Sequence, residues 1–196
     1  MSCAVLRALA TLTVVFASAC PAIGLLLRDH LDSDQLVETC KRVNFGFRQE
    51  CETFLRTVLA KSPHRDVQGA ACLRLAQFLA GRREKLDLLQ EQLVLARRYE
   101  GLFGKEYIEA LQRQDRAAAM EEAEAFYDRA SKDYDDVKLP YNETVGEVAR
   151  TDLFEIRYLR VGKAAPDIEG PDQDGQPFKL SDYRGKVVLL YCWAEY

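Results

Sequence analysis

The sequence predicts a mainly α protein whose last fifth turns to β structure. Two observations carry this. From about residue 22 to 160, apolar residues recur at helical spacing in a polar background. Beyond that the period changes. Asp174-Gly175 lies between the short extended stretches Asp167–Glu169 and Pro177–Leu180, and Val187 to Trp193 is an unbroken apolar run. The implied organisation is a hydrophobic segment at 1–21, a helical repeat-like domain at 22–160, and a β-containing segment at 161–196.

Composition bounds the rest. A length of 196 residues with 48% hydrophobic content suffices for one or two domains. The net charge is −4 with both signs interleaved, so no basic stripe points to nucleic acid.

At the N-terminus, Arg7 precedes a run of apolar or small residues from Ala8 to Ala19, and Ala17-Ser18-Ala19 stands before Cys20. This fits a secretory signal with its cleavage site, and Cys20 stands where a bacterial lipoprotein is lipidated. With residues up to Leu27 included, the uncharged stretch is long enough to span a bilayer. An extracytoplasmic or membrane-anchored protein is expected. The competing reading is a buried helix with a mis-assigned start, which leaves the protein cytoplasmic.

The helices follow in order. Cys51, Phe54, Leu55, Val58 and Leu59 form one apolar stripe, stopped by Ser62-Pro63. Val67, Ala71, Leu75, Phe78 and Leu79 form the next, with Gly81 as its expected C-cap. Leu86, Leu89, Leu93 and Ala96 mark a third helix, interrupted by Gly101 and Gly104 before Tyr107 and Leu111. Asp115 is placed to cap a long helix with Ala119, Ala123, Phe126, Tyr127, Ala130 and Tyr134 inside. After a loop from Asp135 to Asn142, containing Pro140, Thr144-x-x-Glu147 is a capping box. The helix it opens carries Val145, Val148, Ala149, Ile156 and Leu159 on its inner face.

A weak internal repeat runs through these helices. Val67, Ala71 and Leu75 match Val145, Ala149 and Leu153, each set following a helix and a polar loop, and Leu25 to Cys40 offers a third copy. Such helix pairs resemble tetratricopeptide-type repeats, which bury each stripe on the next pair and present a surface to a protein partner. Two helix pairs that agree by chance are the competing reading.

The helical region holds no evident chemistry. Cys3, Cys20, Cys40, Cys51, Cys72 and Cys192 are scattered, with no Cys-x-x-Cys pair, so neither a disulfide framework nor a zinc site is expected. His30 and His64 lie in charged loops without a ligand partner at helical spacing. Gly101-x-x-Gly104 lacks the strand and Gly-Lys of a phosphate loop, and Glu121, Glu122 and Glu124 read as a solvated face. Asn142-x-Thr144 is a glycosylation sequon by pattern, although Thr144 is already explained as a cap.

The C-terminal segment is more specific. Asp-Gly is a strong hairpin signal because glycine accepts the positive φ of the turn. Ser181 and Asp182 are placed to cap one helical turn that Gly185 breaks, and Val187 to Trp193 reads as a strand buried on both faces. Gly162, Ala165-Pro166-Asp167, Asp174-Gly175, Leu180-Ser181-Asp182-Tyr183-Arg184-Gly185-Lys186, Val187 to Leu190 and Trp193-Ala194 stand in fixed order. This order resembles the opening of the thioredoxin-like redoxins, the group of the AhpC/TSA peroxiredoxins and the ResA/TlpA thiol-disulfide oxidoreductases.

The resemblance implies the first hairpin and strand of an incomplete thioredoxin-like α/β domain, in a redox enzyme or antioxidant lineage with no cofactor beyond its thiol pair. Trp193, Ala194 and Tyr196 would flank the active site, Tyr196 directly before the reactive cysteine. No catalytic residue and no metal ligand is therefore assigned within the chain, which is expected to be inactive as written. Cys192 takes a strand position that the family fills with a large apolar residue, so it reads as a buried thiol. The stop after Tyr196 is expected not to be a natural domain end, with a UGA selenocysteine codon or a frameshift as its cause. The alternative function is a helical protein-binding scaffold whose C-terminal strand is a vestige, exposed and able to self-associate.

Overall fold

The computed structural model describes residues 21–43, 48–139 and 142–191. Of the expected signal or anchor at 1–21, residues 1–20 lie outside them, as do Pro140, Cys192, Trp193, Ala194 and Tyr196. The chain divides into two compact units, Met1–Leu153 and Phe154–Tyr196.

Among the described residues the first unit is built from eight helices: α1 (Pro21–Asp29), α2 (Leu36–Arg42), α3 (Gln49–Lys61), α4 (Arg65–Glu91), α5 (Leu93–Phe103), α6 (Lys105–Gln112), α7 (Arg116–Asp133) and α8 (Val145–Phe154), whose last residue falls in the second unit. No helix among them is long and apolar enough to cross a membrane. All five apolar positions expected on α3 are buried, and the helix ends at Ser62, which is extended ahead of Pro63. Asp115 caps α7, its Oδ1 accepting from the backbone N–H of Ala117 at 2.8 Å and Ala118 at 3.3 Å. On α7 Ala123, Tyr127, Ala130 and Tyr134 are buried, with Ala119 and Phe126 half-buried. At α8 the capping box is reciprocal. Glu147 Oε2 accepts from the Thr144 N–H at 2.8 Å, and Thr144 Oγ1 accepts from the Glu147 N–H at 3.2 Å.

The organising element is α4. Its 27 residues run about 40 Å, and α7, α3 and α2 all pack along it. Ten of its residues between Gly69 and Ala80 are buried, many more than one stripe, as expected of a helix enclosed by its neighbours. Its C-terminal part holds a separate cluster, where Leu86 and Leu89 meet Ala96 of α5 and Ile108 and Leu111 of α6.

Gly81 therefore does not end the helix. It lies inside α4, followed by Arg-Arg-Glu-Lys-Leu, a run of good helix formers that outweighs the cost of about 1 kcal/mol for one glycine. The break comes at Gln92, which is extended, and divides the expected third helix between α4 and α5. Gly101 likewise sits within α5, whereas Gly104, at φ +88°, does separate α5 from α6. One further expectation fails at the end of α8, which continues as a π-helical turn, Glu155–Leu159. Ile156 is buried there, but Leu159 is exposed, because widening the turn to i→i+5 moves later residues off the inner face.

Two glycines in helices should respond oppositely to alanine. At Gly81 a Cβ meets nothing within 4 Å, so Gly81→Ala should raise stability by about 0.5–1 kcal/mol. At Gly146 a Cβ would sit 1.8 Å from Asp135 Oδ1 and 2.8 Å from its Cα. Gly146→Ala should therefore lower stability by about 1–3 kcal/mol despite the better helix propensity. Urea unfolding of both variants checks the opposite signs.

One buried charge stands out in the first unit. Arg82 of α4 is 4% exposed, donating from Nη2 to Glu52 of α3 and lying over the Phe78 ring with 4.9 Å to the centroid. Burial alone would raise the Glu52 carboxyl, but Arg82 and then Arg56 hold it below the usual glutamate value.

Candidate redoxin-like hairpin

The residues of the C-terminal motif build a hairpin. β1 (Glu169–Pro171) pairs antiparallel with β2 (Pro177–Lys179), Gly170 opposite Phe178. The first strand thus begins at Glu169, where the expected extended stretch ends. The loop is organised by Asp172, whose Oδ1 accepts from the N–H groups of Asp174 at 2.9 Å and Gln176 at 2.8 Å. Gly175 supplies the left-handed residue at φ +75°. Lys179 Nζ reaches Glu169 Oε1 at 2.7 Å across the register pair.

The base of the hairpin is closed by Asp167. Its carboxylate accepts from the Ser181 N–H at 2.8 Å and the Ser181 hydroxyl at 2.7 Å, while the Leu180 N–H donates to the Ile168 carbonyl at 2.9 Å. The two hydrogen bonds from Ser181, side chain first, hold the exposed Asp167 carboxyl below its ordinary range. Leu180–Tyr183 forms a 3₁₀ turn, and Gly185 follows at φ +83°. Tyr183 packs on Phe178 at 5.6 Å and carries Lys186 Nζ at 5.3 Å from its ring centroid.

Two expectations are corrected here. Ser181 and Asp182 make no side-chain cap to the turn, because Ser181 lies inside it and is held by an acceptor fourteen residues earlier. No strand forms over Val187–Tyr191, and these residues are exposed, Val187 and Leu189 at 104% and 89%. A strand needs neighbours for its backbone N–H and C=O groups, and among the described residues the sheet has two strands only.

The structure thus brings Asp167, Asp174, Gly175, Leu180, Ser181, Tyr183, Gly185 and Lys186 into one turn-and-clasp. Ala165 and Pro166 precede it in irregular chain, and Asp182 and Arg184 are exposed. The clasp itself was not legible beforehand, although an Asp and a Ser flanking a hairpin was the available signal. Of the cysteines, Cys40, Cys51 and Cys72 are buried. Burial pushes the thiols of Cys40 and Cys72 up to about 12, which disfavours the thiolate a nucleophile needs. His64 Nε2 is 2.7 Å from the Asp32 carbonyl and exposed, and no three His, Cys, Asp or Glu side chains converge as a metal site among the described residues.

Comparison with known proteins places the motif in context. Residues 161–196 match the AhpC/TSA family. Over 37 residues the chain is 40% identical to peroxiredoxin Bcp of Bacillus subtilis (strain 168), which covers 19% of this chain and 24% of that protein. The chain therefore spans about a quarter of the length of this curated relative. No solved structure matches it significantly.

Proposed function

We propose that residues 161–196 are the opening of a redoxin domain, attached to a helical domain with repeat-like pairs, and that the whole protein is a peroxiredoxin-type or thiol-disulfide oxidoreductase. The observation that carries this reading is the motif from Gly162 to Lys186, in family order and folded as one clasped hairpin. In redoxin chemistry a thiolate at a helix N-terminus attacks a disulfide or a peroxide. No cysteine of residues 1–196 follows Trp193-Ala194 as the family pattern requires, so residues 1–196 alone should neither reduce insulin disulfides nor consume peroxide. Assays of this chain beside Cys192→Ser test it. Turnover that vanishes in the variant would make Cys192 the nucleophile and overturn the assignment.

A binding role for the chain is favoured by the exposure of Val187 to Tyr191. An exposed run of β-branched and aliphatic residues can pair as a strand with another copy. Sedimentation at rising concentration should show self-association that disappears when Val188 and Leu190 are both changed to lysine. A monomer at all concentrations would remove this reading.

A further inference from the structure

The triplet Asn142-Glu143-Thr144 is absorbed neither by the redoxin motif nor by the helix pairs, and it is the one Asn-x-Ser/Thr sequence in the chain. A match of three residues is weak by itself. What gives it meaning is a surface loop that a modifying enzyme can reach.

The fold supplies that loop. Val137 anchors one end and Val145 the other, both of them buried. Between them the chain doubles back. The Val145 N–H donates to the Val137 carbonyl at 2.8 Å, the Leu139 N–H donates to the Glu143 carbonyl at 2.8 Å, and Lys138 and Thr144 form an antiparallel bridge. Asn142 falls at the turn that these bonds hold out, and both it and Glu143 are exposed. Its φ of +67° is left-handed, a region that no other non-glycine residue adopts among the described residues, and one that asparagine and aspartate tolerate better than most. The bonds that double the loop back join backbone groups, so they stay in place when the Asn142 side chain is changed or extended. A bulky group carried there points into solvent and displaces nothing from the core.

Thr144 has two tasks at different times. In the folded chain its hydroxyl accepts from the Glu147 N–H at 3.2 Å as half of the capping box. A transferase that reads the triplet on an extended chain, before α8 forms, meets that hydroxyl uncommitted. The cap and the sequon therefore use the same side chain in succession.

We propose that Asn142 accepts an N-linked glycan when the chain enters a secretory compartment. The donor is an oligosaccharide carried on a lipid pyrophosphate. The Asn142 amide nitrogen bonds to C1 of the first sugar, the C1–O bond to the pyrophosphate breaks with its electron pair leaving on oxygen, and one amide proton is released. Nothing is oxidised or reduced.

The test is translation of the full chain, behind a cleavable secretory signal, with microsomes that contain an oligosaccharyl transferase. Only chains protected from added protease are read, so every chain scored has reached the lumen. They should gain the mass of a single glycan, and N-glycosidase in heavy-oxygen water should remove it and return Asn142 as labelled aspartate. Asn142→Asp, which suits the left-handed turn and differs only in the amide, should be protected equally and gain no mass. Glu147→Ala, which breaks the other half of the capping box, should still be glycosylated, whereas Thr144→Ala should not. Protected parent chains without a glycan, a glycan retained in Asn142→Asp, or loss of the glycan in Glu147→Ala would each overturn the proposal.

Discussion

Glu52→Ala should destabilise the helical unit by about 3 kcal/mol, read as a lower urea midpoint at unchanged slope. The loss comes from Arg82. With Glu52 gone, a guanidinium only 4% exposed keeps a 3.4 Å contact to Gln114 and the face of Phe78, and no counter-charge on its inner side. Removing both charges together should cost far less, so Glu52→Ala with Arg82→Met should regain most of the difference. A loss below about 1 kcal/mol would mean that Arg82 behaves as a surface charge. The pair also sets a pH dependence. Because the Glu52 carboxyl is held below its ordinary value of 4.5 in the folded chain, its contribution is complete above that pH and is lost as pH falls through the lower folded value. The Glu52→Ala variant should lack this component of the acid transition.

Phe78→Ala should cost about 4 kcal/mol. Phe78 is 1% exposed and belongs to the part of α4 that is buried nearly all round. Its truncation opens a void in a helix that α2, α3 and α7 all pack along, so the helix cannot shift toward one neighbour without leaving another. The same ring supports Arg82, so this effect and that of Glu52→Ala should be non-additive in a double-mutant cycle. Strict additivity would show that the ring and the ion pair do not communicate.

What was legible in the sequence is what is local. The stripe of α3, the Asp115 cap, the Thr144–Glu147 box and the Gly104 break each depend on residues within one or two turns, and each is formed as expected. Gly81 misled because a glycine marks a helix end only where following residues cannot continue the helix, and Arg82 to Leu86 continue it. The apolar run from Val187 was read as a strand from composition, yet a strand is a property of its partners. Ser181 offered a cap by type, while its acceptor, Asp167, lies across the hairpin. The Arg82–Glu52 pair joins residues thirty apart, and an arginine in a charged stretch gives no sign that it points inward.

The uninterrupted course of α4 has a consequence for how the helical unit opens. Had the helix stopped at Gly81, the cluster around Phe78 and the cluster of Leu86, Leu89, Ile108 and Leu111 would sit on separate elements, free to melt independently. On one helix they share a continuous ladder of backbone hydrogen bonds. Fraying that reaches Leu86 exposes the rungs next to Arg82, and so withdraws the support of the ion pair. The two clusters are thereby tied into one cooperative unit, in which a local fluctuation at α6 is felt at the centre of the bundle.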